Sequence, residues 1–167
     1  CASPHNLFIE NGGAVSPEKF CQMLDEAMAK TELQIPKPPM SAEQVSAIHS
    51  IRGVYDFKGQ VFGSPAMSYT ILLDQQAELD KPIYGRVLFV HSVDSVEEAF
   101  PLITEDIQTI GVALSKERAC SFAEQATVKG AIRFPQIGRM LNFEMPWDGI
   151  VLIDRLVKWN TVLGPLC

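Results

Sequence analysis

Gly85-Arg86-Val87-Leu88-Phe89-Val90-His91 runs through Ser92-Val93-Asp94 into Ser95-Val96-Glu97-Glu98. The first run is apolar at odd and even positions alike, so a strand made from it must be covered on both faces. The second reads as a helix start, with serine as N-cap and acids in the first turn. A doubly covered strand passing straight into a helix argues for an α/β fold, a largely parallel sheet with helices on both faces.

The sequence on either side repeats the alternation. Upstream, Leu7-Phe8-Ile9 is a short apolar run between Asn6 and the turn residues Asn11-Gly12-Gly13, and Tyr69–Leu73 is a second strand. Between them, Ser16-Pro17-Glu18 opens a helix whose Phe20, Met23, Leu24, Ala27 and Met28 form one inward stripe. Lys37-Pro38-Pro39 breaks it. Ser41-Ala42-Glu43-Gln44 is a capping box for a second helix, with Val45, Ile48 and Ile51 inward and Gly53 able to end it. Downstream, Thr109–Leu114 reads as a strand. Lys116–Thr127 reads as a helix that buries Ala119, Phe122, Ala123 and Ala126, and Gly130 caps it. Ala131-Ile132-Arg133-Phe134 is a fifth strand. Asp148 caps a last helix, with Ile150, Val151, Ile153, Leu156 and Val157 toward the core. With no repeat and no linker, residues 1–167 are expected to form one domain.

Composition narrows the function. The chain has 167 residues, 47% hydrophobic and 20% charged, which excludes a disordered or fibrous polypeptide. The net charge of −6 and the lack of any basic run exclude nucleic acid as a main partner. No apolar stretch reaches the ~18 residues of a membrane span. Cys1, Cys21, Cys120 and Cys167 form no CxxC pair, and His5, His49 and His91 stand at no metal-ligand spacing from them, so no metal site is expected. This cysteine usage favours a reducing cytoplasm. The Gly-rich phosphate motifs of nucleotide-binding folds and the GxSxG of serine hydrolases are absent.

One cysteine stands out by position. Cys1-Ala2-Ser3-Pro4-His5 leads straight into the first strand. Small neighbours let a substrate carbonyl approach the sulfur, and the cysteine backbone N–H can hold a developing oxyanion. His5 is placed to influence that thiol, although an ordinary hydrogen bond at a strand end is the favoured reading.

Cys1-Ala2-Ser3-Pro4-His5-Asn6-Leu7-Phe8-Ile9 resembles the nucleophile segment of the aldehyde dehydrogenase superfamily: cysteine, small residues, Ser/Thr-Pro, then a buried strand. Ile83-Tyr84-Gly85-Arg86-Val87-Leu88-Phe89-Val90, followed by Val93-Asp94-Ser95-Val96-Glu97-Glu98-Ala99, is similar to that superfamily's ExFGP segment and the strand and helix after it. Gln108-Thr109-Ile110-Gly111-Val112-Ala113, Gly130–Phe134, Ile137-Gly138-Arg139-Met140, Trp147-Asp148-Gly149 and Leu156-Val157-Lys158-Trp159 resemble the fatty acyl-CoA reductase branch, which includes the reductase of bacterial luminescence.

The resemblance implies an NADPH-dependent reductase of long-chain acyl-CoA. In it Cys1 forms an acyl-enzyme and a hydride releases the aldehyde. It also implies that residues 1–167 are the catalytic, C-terminal half of an enzyme, oligomeric when full-length. The nucleotide-binding half and the general-base glutamate would lie upstream of Cys1. Two departures matter: the ExFGP acid, which contacts the nicotinamide ribose, falls on Pro82, and the final proline falls on Arg86. Tyr84, at the aromatic position, is left as the candidate cofactor-binding residue. Two other readings stay open: the catalytic half of an NAD(P)-dependent aldehyde dehydrogenase, and a non-catalytic α/β interaction domain.

Overall fold

Ser16 and Ser41 act as the caps their sequence context predicts. The Ser16 hydroxyl accepts from the Lys19 N–H and starts α1, Pro17–Gln34. Ser41 and Gln44 close a reciprocal capping box at the head of α2, Ala42–Lys58. The computed structural model describes residues 3–147, 149–158 and 160–161. They group into two compact units, Ser3–Leu102 and the described residues from Ile103 onward.

The first unit holds a four-stranded sheet: β1 (Asn6–Glu10), β2 (Gln60–Gly63), β3 (Thr70–Asp74) and β4 (Val87–Val93), in the order β1-β4-β3-β2. β1, β4 and β3 run parallel, and β2 pairs antiparallel with β3. The alternation of side chains then explains the doubly apolar run. Ile71, Leu73, Leu88 and Val90 face α1 and meet Phe20, Cys21, Leu24 and Met28. Leu72, Val87 and Phe89 face the other way and meet Ile48, Ile51 and Tyr55 of α2. Helices therefore cover both faces, as expected. Buried apolar side chains of this size each contribute about 1.5–3 kcal/mol, so the two layers dominate the stability of the unit.

Several expectations are corrected. Met23 is half exposed and its place on the α1 face is taken by the fully buried Cys21. α2 does not stop at Gly53, which has open space around it, but runs on to bury Tyr55 and ends at Gly59. A Cβ at Gly59 would lie 2.1 Å from the Leu73 carbonyl oxygen, so only glycine lets the chain turn there into β2. β2 itself was not expected. Four residues between Gly59 and Ser64-Pro65 are too short to show a period. The helix after Ser95 is a 3-10 segment, Val96–Leu102, with Pro101 inside it.

In the second unit, α3 (Lys116–Val128) is capped by Ser115 and buries Phe122 and Ala126 as read. The strands expected at 109–114 and 131–134 are not ladders. They meet at the isolated parallel bridge Thr109↔Arg133, and a second bridge, Val112↔Gln136, falls past the expected strand, beyond Pro135, which accepts from the Val112 N–H but has no N–H to give. The last helix is one short piece, α4 (Leu152–Leu156). Its expected core residues Ile150, Val151, Ile153, Leu156 and Val157 are all exposed. Its expected cap, Asp148, lies outside the described residues.

Candidate functional site

Parallel sheets most often bind ligands at the carboxyl ends of their strands. Here both candidate segments lead into strands, and so belong to the amino ends. His5 directly precedes β1, and its carbonyl accepts from the Phe89 N–H at 2.9 Å. Tyr84-Gly85-Arg86 directly precedes β4. Tyr84 is not a packed core aromatic: it is 69% exposed, and its ring stands edge-on to the His5 ring at 5.7 Å. His5 Nδ1 is buried and, among the described residues, has no hydrogen-bond partner, so the ordinary strand-end bond expected of it is not made there. Cys1, the expected nucleophile, lies outside the described residues, four positions before His5.

The Tyr84 turn is held from beneath by cations. Lys37 Nζ donates to the Gly85 carbonyl at 2.7 Å and to the Met67 carbonyl at 2.9 Å. Burial, then the neighbouring Arg86 charge, lowers the Lys37 pKa from its usual value. Arg86 adopts φ 58°, a left-handed conformation uncommon for a side-chain-bearing residue, next to Gly85 at φ 116°. Its guanidinium pairs with Glu32 and donates to the Ile35 carbonyl at the end of α1. Arg86 therefore has a structural task where the resemblance has proline: it closes the C-terminus of α1. Arg52 fixes the neighbouring loop through the Ser64 and Tyr69 carbonyls and the Thr70 hydroxyl.

On the α2 face of the same sheet lies a buried polar network that the spacing of cysteines and histidines could not show. His91, fully buried within β4, has Nδ1 2.9 Å from Asp74 Oδ1 and Nε2 3.1 Å from Asn6 Oδ1. Lys58 Nζ pairs with Asp74 Oδ2 at 2.9 Å and lies over the Tyr55 ring. Burial opposes charge on Asp74, but bonds from Lys58 and His91 overcome it and hold the carboxyl below its usual pKa. The Tyr55 hydroxyl donates to Asp80 Oδ2, and burial raises its pKa far above the usual phenol value. Asp74, Asp80 and His91 present ligand atoms within 4.8 Å of one another. Lys58 already supplies positive charge there, so the group reads as a closed ion-pair network. The register places His91 opposite both Asp74 and Phe8, a long-range pairing that no local motif reveals.

Among the described cysteines, Cys21 is fully buried against the sheet. Burial, then the nearby Glu18 charge, pushes its thiol up to about 12. Cys120 is exposed on α3. His49 is exposed on α2. Trp147 is held between the Phe143 ring, stacked at 4.6 Å, and the Arg133 guanidinium at 4.3 Å.

The family model of LuxC, acyl-CoA reductase, matches residues 1–159. The chain belongs to the LuxC acyl-CoA reductase family. Membership supports a fatty acyl reductase role, an oxidoreductase acting on acyl-CoA. The comparison with curated proteins gave no match. Among the described residues, no helix of this LuxC-family chain is long and apolar enough to cross a membrane.

Proposed function

We propose that this chain is the catalytic part of an NADPH-dependent reductase of long-chain acyl-CoA, with Cys1 as nucleophile. The observation that carries the reading is the LuxC match across Cys1-Ala2-Ser3-Pro4-His5 and the strand it enters. The Cys1 thiolate attacks the thioester carbonyl, the tetrahedral oxyanion collapses, and the C–S bond to CoA breaks. CoA leaves as a thiolate that takes a proton from water. A thiolate suits this exchange because it attacks well and leaves well. NADPH, when bound, supplies the hydride that reduces the acyl thioester carbon. Collapse of the resulting oxyanion returns the cysteine thiolate and frees the aldehyde.

The residues present fit only part of that cofactor. The exposed Tyr84 ring offers a flat apolar face for nicotinamide, whereas Pro82 offers no acceptor for a ribose hydroxyl. We assign Tyr84 to the nicotinamide and the remaining contacts to residues beyond these 167, in a full-length cytoplasmic oligomer. NADPH titrated against the 167-residue chain should give no saturable signal by calorimetry. A micromolar dissociation constant would show the chain to hold a cofactor site of its own.

The reading is tested by separating its half-reactions. Mixing the enzyme with hexadecanoyl-CoA should release CoA in a burst equal to the enzyme, and aldehyde should follow only after NADPH is added. Steady CoA release without a burst would overturn it. Tyr84→Ala should slow the reduction of preformed acyl-enzyme about 10-fold and leave the CoA burst unchanged. Lys37→Met should act in the same direction, since it frees the Gly85 carbonyl from its clamp. A slower burst with normal reduction in either variant would remove Tyr84 from the cofactor side.

A further inference from the structure

The buried network ends on a residue of the strand that follows Cys1. Asn6 is the first residue of β1. Its amide binds the backbone of Asp80 at two points: Nδ2 donates to the Asp80 carbonyl at 3.0 Å, and Oδ1 accepts from the Asp80 N–H at 2.9 Å. The side chain thus stands in for a strand neighbour across 74 positions of sequence. Asp80 lies four residues before Tyr84, so this clamp ties the segment that follows Cys1 to the connection that carries Tyr84.

We propose that Asn6, held by the buried His91–Asp74 pair, is a positioning residue for the acyl-transfer site. The proposal rests on the reading of Cys1 as nucleophile. Every member of the clamp is fixed from a second side. His91 Nε2 meets the same Asn6 oxygen that Asp80 uses. Asp74 holds the other ring nitrogen and is itself fixed by Lys58 and the Gln76 N–H. The Tyr55 hydroxyl steadies the Asp80 carboxylate from α2, and the Phe8 ring packs 5.1 Å from the imidazole.

Stability does not explain such a network. A buried set of charges is often matched or bettered by apolar residues of equal volume, and its attested gain is geometric specificity. Register alone does not need it either, because β1 is already fixed by its ladder to β4 over five residue pairs. What the clamp adds is lateral control of the chain where it enters β1, the end from which Cys1 extends. A misplacement of about 1 Å there is enough to slow a reaction about 100-fold.

The test is pre-steady-state CoA release from hexadecanoyl-CoA by the full-length enzyme, with peptide mapping of the acyl adduct and melting temperatures alongside. Asn6→Ala should lower the burst rate constant at saturation about 100-fold and change the apparent KM for acyl-CoA less than about 3-fold. Asn6→Asp keeps the acceptor for the Asp80 N–H and for His91 but loses the donor, and should bring the burst back to within about 3–10-fold of wild type. Ile51→Val, which trims the α2 core away from the clamp, is the control for instability alone. An Asn6→Ala burst at the wild-type rate overturns the proposal, as does a loss no larger than that of Ile51→Val at equal melting temperature. In both cases, an adduct still on Cys1 leaves the nucleophile reading standing. An adduct on another residue overturns both. If Asn6→Ala does not fold, Asn6→Asp alone decides: a burst about 3–10-fold slower supports the clamp, and an unchanged burst overturns it.

Discussion

Cys1→Ala should lower acyl transfer from acyl-CoA by at least about 1,000-fold while leaving the fold intact. Alanine keeps the backbone N–H and the apolar surroundings but removes the atom that carries the acyl group, and no general base can replace it. In sequence, Cys1 precedes the first strand by five positions. The described cysteines, Cys21 and Cys120, cannot stand in for it equally. Burial pushes the Cys21 thiol up to about 12, so it stays protonated at neutral pH, and the residue is fully buried between α1 and the sheet. Cys120 is exposed and open to reagents, so Cys120→Ala is the informative control. It should acylate normally. Intact-protein mass after incubation with acyl-CoA and no reductant, followed by peptide mapping, reads the outcome. An adduct that survives Cys1→Ala and disappears in Cys120→Ala would move the nucleophile to α3.

Much of the first unit was legible because local chemistry decides it. Ser16-Pro17 and the Ser41/Gln44 box fix helix starts within a few residues, and they form as read. The run from Val87 to Val93 is apolar on both sides because two helices cover it, which the alternation in the sequence already implies. The failures share a different cause: they depend on what lies opposite. Gly59 ends α2 because the Leu73 carbonyl passes within reach of a Cβ, and nothing in the helix itself says so. Segments 109–114 and 131–134 carry strand-like residues but, among the described residues, share only the one bridge Thr109↔Arg133. α4 carries an apolar run that stays exposed, so apolar periodicity there does not report burial.

The site divides in the same way. The Cys1 segment and Tyr84 stand out as short motifs, and the strand pairing brings their neighbour His5 against Tyr84. His91 was legible only as a histidine near the end of an apolar strand. Its partners Asn6, Asp74 and Asp80 come from three separate parts of the chain, so the network exists only once the sheet is assembled. Arg86 shows the reverse case. It marks a departure from the resemblance, and the structure supplies its reason in the closure of α1.

Lys58→Met should be the most destabilising single change in the network, by about 3 kcal/mol, the lower end for breaking a buried pair because Lys58 keeps some access to water. It strands the Asp74 carboxylate, which is 3% exposed, without its cation, and it also removes the ammonium over the Tyr55 ring. For a chain of this size that is roughly a 6–12 °C fall in Tm. Asp74→Asn should cost less, about 1–2 kcal/mol, because the amide oxygen still accepts from the network and Lys58 keeps Glu78 as a partner. The two variants also differ in pH dependence. Asp74 is held below its usual pKa, so its contribution is present above about pH 4, the unfolded value, and is lost as pH falls through the lower folded value. The stability gap between wild type and Asp74→Asn should therefore narrow as pH drops below about 4. Lys58 is shifted the other way: burial opposes its charge, but bonds to Asp74 and Glu78 raise its pKa. Its contribution is complete below about pH 10.4, the unfolded value, and fades as pH rises through the higher folded value. Urea unfolding of the three proteins between about pH 3 and 11 separates these effects. Equal losses for Lys58→Met and Asp74→Asn, with no narrowing in acid, would mean that Asp74 is not held as a buried carboxylate by Lys58. The network would then be one of neutral hydrogen bonds alone.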